Sequence, residues 1–133
     1  MIKIAAIILE NDKKEILLYL RDNKPTIPFP NHWDLFGGYV EKGETIEEAL
    51  VREVKEELDY DLKEYKFFKK YNCSEGDVHK NVKYVYVGKI DKPIEEITLK
   101  VGENLKFFPR DEVKDVKFAN ILKRIVLDYI NNK

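Results

Sequence analysis

Glu53, Glu56 and Glu57 lie within five positions of one another in the stretch VREVKEELDY, residues 51–60. On a helix each residue advances by about 100°, so side chains at i, i+3 and i+4 share an arc of roughly 100°. Like charges at that spacing repel by a few tenths of a kcal/mol per pair, and partial burial adds a desolvation cost. Such a face calls for a positive partner: a lysine, a bulk counterion or a bound metal. If it is a metal, oxygen ligands favour Mg²⁺ or Mn²⁺ over zinc.

The residues just upstream bear on that choice. Gly37 and Gly38 allow a tight turn and let a carbonyl point at a ligand with no Cβ in the way. Thr45 is a good N-cap, and Glu48 three residues later completes a capping-box pattern, so a helix is expected from there. A loop that feeds a helix N-terminus beside carboxylates can bring a hard cation and a phosphate together. Each feature alone has a plainer explanation. An acidic helix face is usually a solvated surface, Arg52 four residues after Glu48 makes an ordinary surface ion pair, and a glycine pair is usually a turn.

The elements that must position these residues follow from the pattern of the chain. Residues 2–9 form a continuous apolar run, ENDKKE turns it, and ILLYL completes a hairpin. RDNKPTIPFPNHW carries prolines that exclude helix and reads as a long loop. DLFGGYV is a short strand. From Thr45 to Leu58 an apolar stripe of Ile46, Leu50, Val54 and Leu58 marks a helix, with the acids along its rim. LKEYKFFKKYNC and NVKYVYVGKI read as an antiparallel pair around a turn at SEGD, in which Tyr84 and Tyr86 pack on the sheet. ENLKFF is a further strand, Asp111 to Lys114 a single turn, and Ala119 to Ile130 an amphipathic last helix. A mixed sheet flanked by helices implies an α/β or α+β sandwich.

Composition narrows the function classes. With 133 residues, 44% of them hydrophobic, the chain is the size of one domain, 1–133. Charged residues reach 37% yet nearly cancel to a net −1, so no basic field exists to hold a nucleic-acid polymer. Cys73 is alone, and His32 and His79 form no zinc spacing, which suits a reducing compartment. No apolar run is long enough for a signal segment or a membrane span, and a cytoplasmic location is expected.

GYVEKGETIEEALVREVKEELDY, Gly38 to Tyr60, resembles the Nudix box, G-x5-E-x7-R-E-U-x-E-E-x-G-U with U a bulky aliphatic residue. Gly38, Glu44, Arg52, Glu53, Val54, Glu56 and Glu57 stand where that pattern places them. Asp59 replaces its glycine and Tyr60 its last aliphatic. The glycine closes the helix in left-handed geometry, which Asp enters at about 1 kcal/mol, so a small stability cost and intact chemistry are expected. The flanking WDLFGG and FFPRDEV segments are also similar to the family.

The resemblance implies a Nudix-type αβα sandwich and Mg²⁺-dependent hydrolysis of a nucleoside diphosphate linked to another group. It implies Glu53, Glu56 and Glu57 as metal ligands, helped by a carbonyl of Gly37 or Gly38. Arg52 would hold the acids in place, and Glu44 would support the loop or a further water. Glu53 is the expected base, with Glu103 in reserve. The MutT-like branch suggests a nucleoside triphosphate cut to monophosphate and pyrophosphate, with Arg21 on phosphate and Asn120 on the base edge. For those two residues an exposed loop charge and a helix cap are equally good explanations. His32 and Trp33, with Phe29, are further candidates against base or sugar, although an aromatic entering a strand is more often core. ADP-ribose and nucleotide sugars are the next substrates. A nucleotide-sensing module without turnover and a structural domain docking a basic partner are the other classes. The partners expected are a small nucleotide and, as an assembly, a homodimer, with neither nucleic-acid polymer nor membrane.

Overall fold

A computed structural model describes residues 2–73 and 79–132. The turn expected at SEGD, residues 74–77, lies outside the described residues. The strands are β1 (Ile2–Glu10), β2 (Ile16–Leu20), β3 (Trp33–Asp34), β4 (Phe36–Tyr39), β5 (Tyr65–Cys73), β6 (Asn81–Lys89) and β7 (Asn104–Phe108). Two α-helices accompany them, α1 (Ile46–Leu58) and α2 (Leu122–Asn131), with short 3-10 turns at Ile94–Glu96 and Arg110–Asp115.

The strands form one mixed sheet in the order β3-β2-β1-β6-β5, with β4 also on β1 and β7 also on β2. β1 pairs in parallel with β6 along its whole length, while its other edge is shared. Leu9 and Glu10 pair with β2, and Ile4 to Ile7 pair with β4, both antiparallel. The expected hairpin is therefore only two residue pairs deep. Beyond it β2 leaves β1 to pair with β3 and β7, so the sheet forks between β2 and β4. The predicted antiparallel pairing of β5 with β6 is present, with a bulge between Phe67 and Lys69.

Alternation along β1 sends its side chains to two opposite layers. Ile7 and Leu9, with Leu17 and Phe36, pack against Leu50, Val54 and Leu58 of α1. Ile8, with Ile16, Leu18 and Val85, packs against Ile125 and Val126 of α2. Helices thus cover both faces of the sheet, giving the expected αβα sandwich.

Local chemistry sets the ends of α1. Thr45 accepts from the Glu48 amide while the Glu48 carboxylate accepts from the Thr45 amide, a complete capping box that contributes about 1 kcal/mol. Asp59 closes the helix with φ +52°, the left-handed geometry expected where the pattern has glycine. Tyr60, in the last aliphatic position, is buried in the α1 layer with its hydroxyl 3.1 Å from Asp91. α2 begins later than the sequence suggests, at Leu122 rather than Ala119. The Ala119 amide donates to the Trp33 carbonyl at 2.9 Å, and Asn120 follows at φ +53°, so the chain cannot enter a right-handed helix there. Ile121, not Asn120, occupies the cap position, without a side-chain bond. Among the described residues no helix is long and apolar enough to cross a membrane.

Candidate functional site

Arg52 gathers the acids at the junction of α1 and β4. Its guanidinium forks onto Glu44, with Nε 2.7 Å from Oε2 and Nη2 3.0 Å from Oε1. Nη1 donates to Glu53 at 2.8 Å and to Glu56 at 3.2 Å, and Nη2 also donates to the Tyr39 carbonyl at 3.0 Å. Glu48, committed to the helix cap, does not take Arg52. A planar fork satisfied on both edges has one geometry, so Arg52 fixes the loop and the acids together. The hydrogen bonds that Arg52 donates to Glu44 and Glu53 raise its own pKa, and the bond from Arg52 holds Glu44 below the usual carboxylate range.

Glu57 points the other way, accepting from the Gly37 amide at 2.9 Å. Burial pushes its carboxyl up to about 8 against the pull of that amide, with the neighbouring Glu53 adding to the rise. Burial likewise raises Glu53, which is only 18% exposed, whereas Glu56 stands 58% exposed. Backbone contact requires glycine at position 37, while a side chain at position 38 would displace the Glu53 carboxylate. A Cβ on Gly38 would lie 2.5 Å from the Glu53 carboxylate, and one on Gly37, at φ +137°, would lie 2.0 Å from the Ala5 carbonyl oxygen. The sequence assigned these glycines a carbonyl role; the contacts the structure displays are the Gly37 amide and the bare Cα of Gly38.

The chemistry of this donor set fits a hard divalent cation. Two shielded carboxylates, Glu53 and Glu57, have raised pKa values, and the charge of Glu53 adds to the rise at Glu57, so a doubly positive ion between them would relieve an electrostatic cost. Among the described residues no group of three acidic, His or Cys side chains is gathered around a common ion-sized point. The pairings explain this: Arg52 draws Glu53 and Glu56 to itself, and the Gly37 amide draws Glu57 away.

Next to the glycine pair, a cavity of about 270 Å³ opens in the fork of the sheet toward α2. That is near the lower end of small-molecule clefts, roughly 300–1,000 Å³. Arg21 and Asn120 both line it, although 99 positions separate them in sequence. Arg21 is engaged there, with Nη1 2.9 Å from Asp34 and Nε 3.0 Å from the Pro28 carbonyl. Burial raises the Asp34 carboxyl against the pull of Arg21, and burial likewise raises the Tyr19 hydroxyl that shares Asp34. Asn120 Oδ1 is buried with no hydrogen-bond partner among the described residues.

Of the remaining candidates, Trp33, His32 and Glu103 stand apart from this cavity. Trp33 meets Phe108 edge-on at 4.8 Å and packs against the α2 layer, as core. His32 Nδ1 lies 2.8 Å from the Pro30 carbonyl, its ring edge-on to Phe29, and only Phe29 of that pair lines the cavity. Glu103 accepts from the Asn23 amide at 2.9 Å and pins the loop instead. Sequence reasoning missed Asp34, Asn81 and Lys83, all lining the cavity. A lysine inside the aliphatic run of β6 is the signal that would have found the last.

Comparison with known proteins adds four findings. A family model described as NUDIX domain matches residues 2–129. Nucleoside triphosphatase NudI of Salmonella agona (strain SL483) is 51% identical over 51 residues, 38% of this chain and 35% of that protein, so the match spans about a third of the relative. The MutT protein from Methanosarcina mazei Go1 superposes with a TM-score of 0.82 at 20% identity, covering 99% of this chain and 96% of that one. The NUDIX domain of Shewanella oneidensis NrtR, complexed with ADP ribose, gives 0.80 at 16% identity over 98% and 86%. At such identities the two structures show a common fold alone.

Proposed function

The chain belongs to the NUDIX domain family, and from that premise we propose that it is a divalent-metal-dependent hydrolase of a diphosphate bond in a small nucleotide. A nucleoside triphosphate, cut to monophosphate and pyrophosphate, is the substrate class we favour. Reading residues 1–133 as a single domain is part of the same proposal. The observation that carries it is the Arg52-centred cluster of Glu44, Glu53 and Glu56, with Glu57 on the Gly37 amide, next to the glycine pair that lines a cavity reaching Asn120. The triphosphatase name of the similar Salmonella protein supports the substrate class.

In this reading Glu53, Glu56 and Glu57 hold the cation. A cation there would neutralise phosphate oxygens and lower the pKa of a water. Arg52 keeps Glu44 and Glu53 from drifting under mutual repulsion. Glu53 takes the proton of the attacking water as its oxygen bonds to phosphorus and the bridging P–O bond breaks. Glu53, 18% exposed and held by Arg52 beside Gly38, is better shielded from bulk water for this role than Glu56, which is 58% exposed. Arg21 and Asn120 contact phosphate and base from the cavity wall.

ADP-ribose or a nucleotide sugar is the second reading, supported by the similar NrtR domain described with ADP ribose. The test is a screen of triphosphates, ADP-ribose and nucleotide sugars with Mg²⁺, followed by phosphorus NMR in ¹⁸O water. Label entering the monophosphate or pyrophosphate of a triphosphate supports the first reading. Turnover confined to ADP-ribose or sugars replaces it with the second, and binding without turnover of any compound makes the protein a nucleotide sensor.

A further inference from the structure

Two polar side chains face the cavity from the α2 side of the sheet, away from the acids of α1. Lys83, only 3% exposed, stands on β6 and donates from Nζ to Asn81 Oδ1 at 2.8 Å. Asn81, equally buried, donates in turn to the His79 carbonyl at 2.8 Å. Val85, next on the same face of the strand, is plain core. Lys83 lines the cavity from this strand, where Val85 on the same face does not. The second group is Asn120 Oδ1, an acceptor buried without a hydrogen-bond partner among the described residues. Ile4, Ala6, Phe29 and Leu122 supply apolar wall around them.

The two groups have opposite and definite polarity. An ammonium carries three N–H bonds and no acceptor, so whatever Lys83 meets it meets as a donor; an amide oxygen only accepts. We propose that Lys83 and Asn120 read the lactam edge of a nucleobase, the adjacent carbonyl and ring N–H of uracil, thymine, guanine or hypoxanthine. Lys83 Nζ donates to the exocyclic oxygen, and Asn120 Oδ1 accepts from the ring N–H. On the matching edge, cytosine and adenine carry an amino group and an unprotonated ring nitrogen. That sets donor against donor and acceptor against acceptor, a mismatch that a polar site rejects strongly. The inference rests on the nucleotide reading above and narrows it to lactam bases. Lys83 is then a specificity-determining residue rather than part of the helix-borne machinery.

The test compares kcat/KM for dUTP with dCTP and for dGTP with dATP, in the native protein and in Lys83→Met and Asn120→Ala. The native protein should favour the lactam member of each pair by about tenfold or more, and each variant should lose most of that ratio. A merely structural role for Lys83 would lower all four substrates together and leave the ratios standing, which overturns the proposal. Equal or reversed preference in the native protein overturns it too. Should the variants fail to fold, calorimetry of the native protein with dUMP, dCMP, dGMP and dAMP decides: tighter binding of dUMP and dGMP supports the lactam edge, and equal or reversed binding overturns it. The same titration separates this inference from the reaction. If none of the four triphosphates releases pyrophosphate the triphosphatase reading falls, while monophosphate preference still decides the base edge.

Discussion

On the α1 face of the sheet, Glu44, Glu53, Glu56 and Glu57 each have a protein donor within 3.2 Å. On the α2 face, the cavity buries Asn120 Oδ1 with no such donor among the described residues, and it buries a lysine beside aliphatic wall. The first region keeps its charges in order by internal pairing; in the second Lys83 is held by Asn81 and Arg21 by Asp34, and the acceptor left over is Asn120 Oδ1. A paired cluster can hold its geometry before any ligand arrives, which suits chemistry that needs fixed oxygens. An acceptor lacking a partner costs about 1–3 kcal/mol, and a ligand that satisfies it recovers that amount, which suits discrimination. In the proposed reading, reaction and selectivity divide between the two faces, meeting at Gly37 and Gly38 in the fork between β2 and β4.

That division is most sharply tested on the α1 face. Glu53→Gln keeps shape and removes charge and basicity, and should lower metal-dependent turnover by about 10²–10⁴-fold while relative kcat/KM among bases stays constant. A change in base preference would break the separation of the faces. Arg52→Ala acts one step back, through the acids it orients, and should cost roughly 10–100-fold in activity or metal affinity. Arg52→Lys should recover little, since an ammonium cannot reproduce the fork on Glu44; full rescue by lysine would reduce Arg52 to a point charge.

A smaller effect is expected in stability. The Glu57 pKa in the fold, about 8, lies above its ordinary value of 4.5, so the folded metal-free protein holds this proton more tightly than the unfolded chain. Its contribution is whole below pH 4.5 and is lost as pH rises toward and through 8. The Tm of chelator-treated protein should therefore fall by several degrees from pH 5 to pH 8.5. Glu57→Gln should flatten that slope, and Mg²⁺ at pH 8.5 should recover the native protein more than the variant. An equal slope in both proteins would remove Glu57 as the source.

The two faces also differ in how far the sequence discloses them. The α1 cluster sits within 23 consecutive residues, where helical periodicity alone puts Glu53, Glu56 and Glu57 on one rim, and the capping box and left-handed Asp59 were legible for the same local reason. The cavity is assembled from β1 to β4, β6, the loop after β2 and the segment before α2, and no local pattern brings Arg21, Asp34, Lys83 and Asn120 together. Arg21 and Asn120 were found only through resemblance. His32, Trp33 and Glu103 were plausible by type, yet loop and core contacts take them elsewhere. The expected start of α2 failed because a left-handed Asn120 and a strand-like bond to Trp33 override the apolar period.

The central claim is that the carboxylates of α1 bind a divalent cation, and it is tested most directly by titrating Mn²⁺ into the native protein and into Glu57→Gln, following free Mn²⁺ by electron paramagnetic resonance with nucleotide absent and present. The native protein should bind Mn²⁺ saturably, and the variant at least tenfold more weakly. No binding under either condition, or equal affinity in the two proteins, would contradict it.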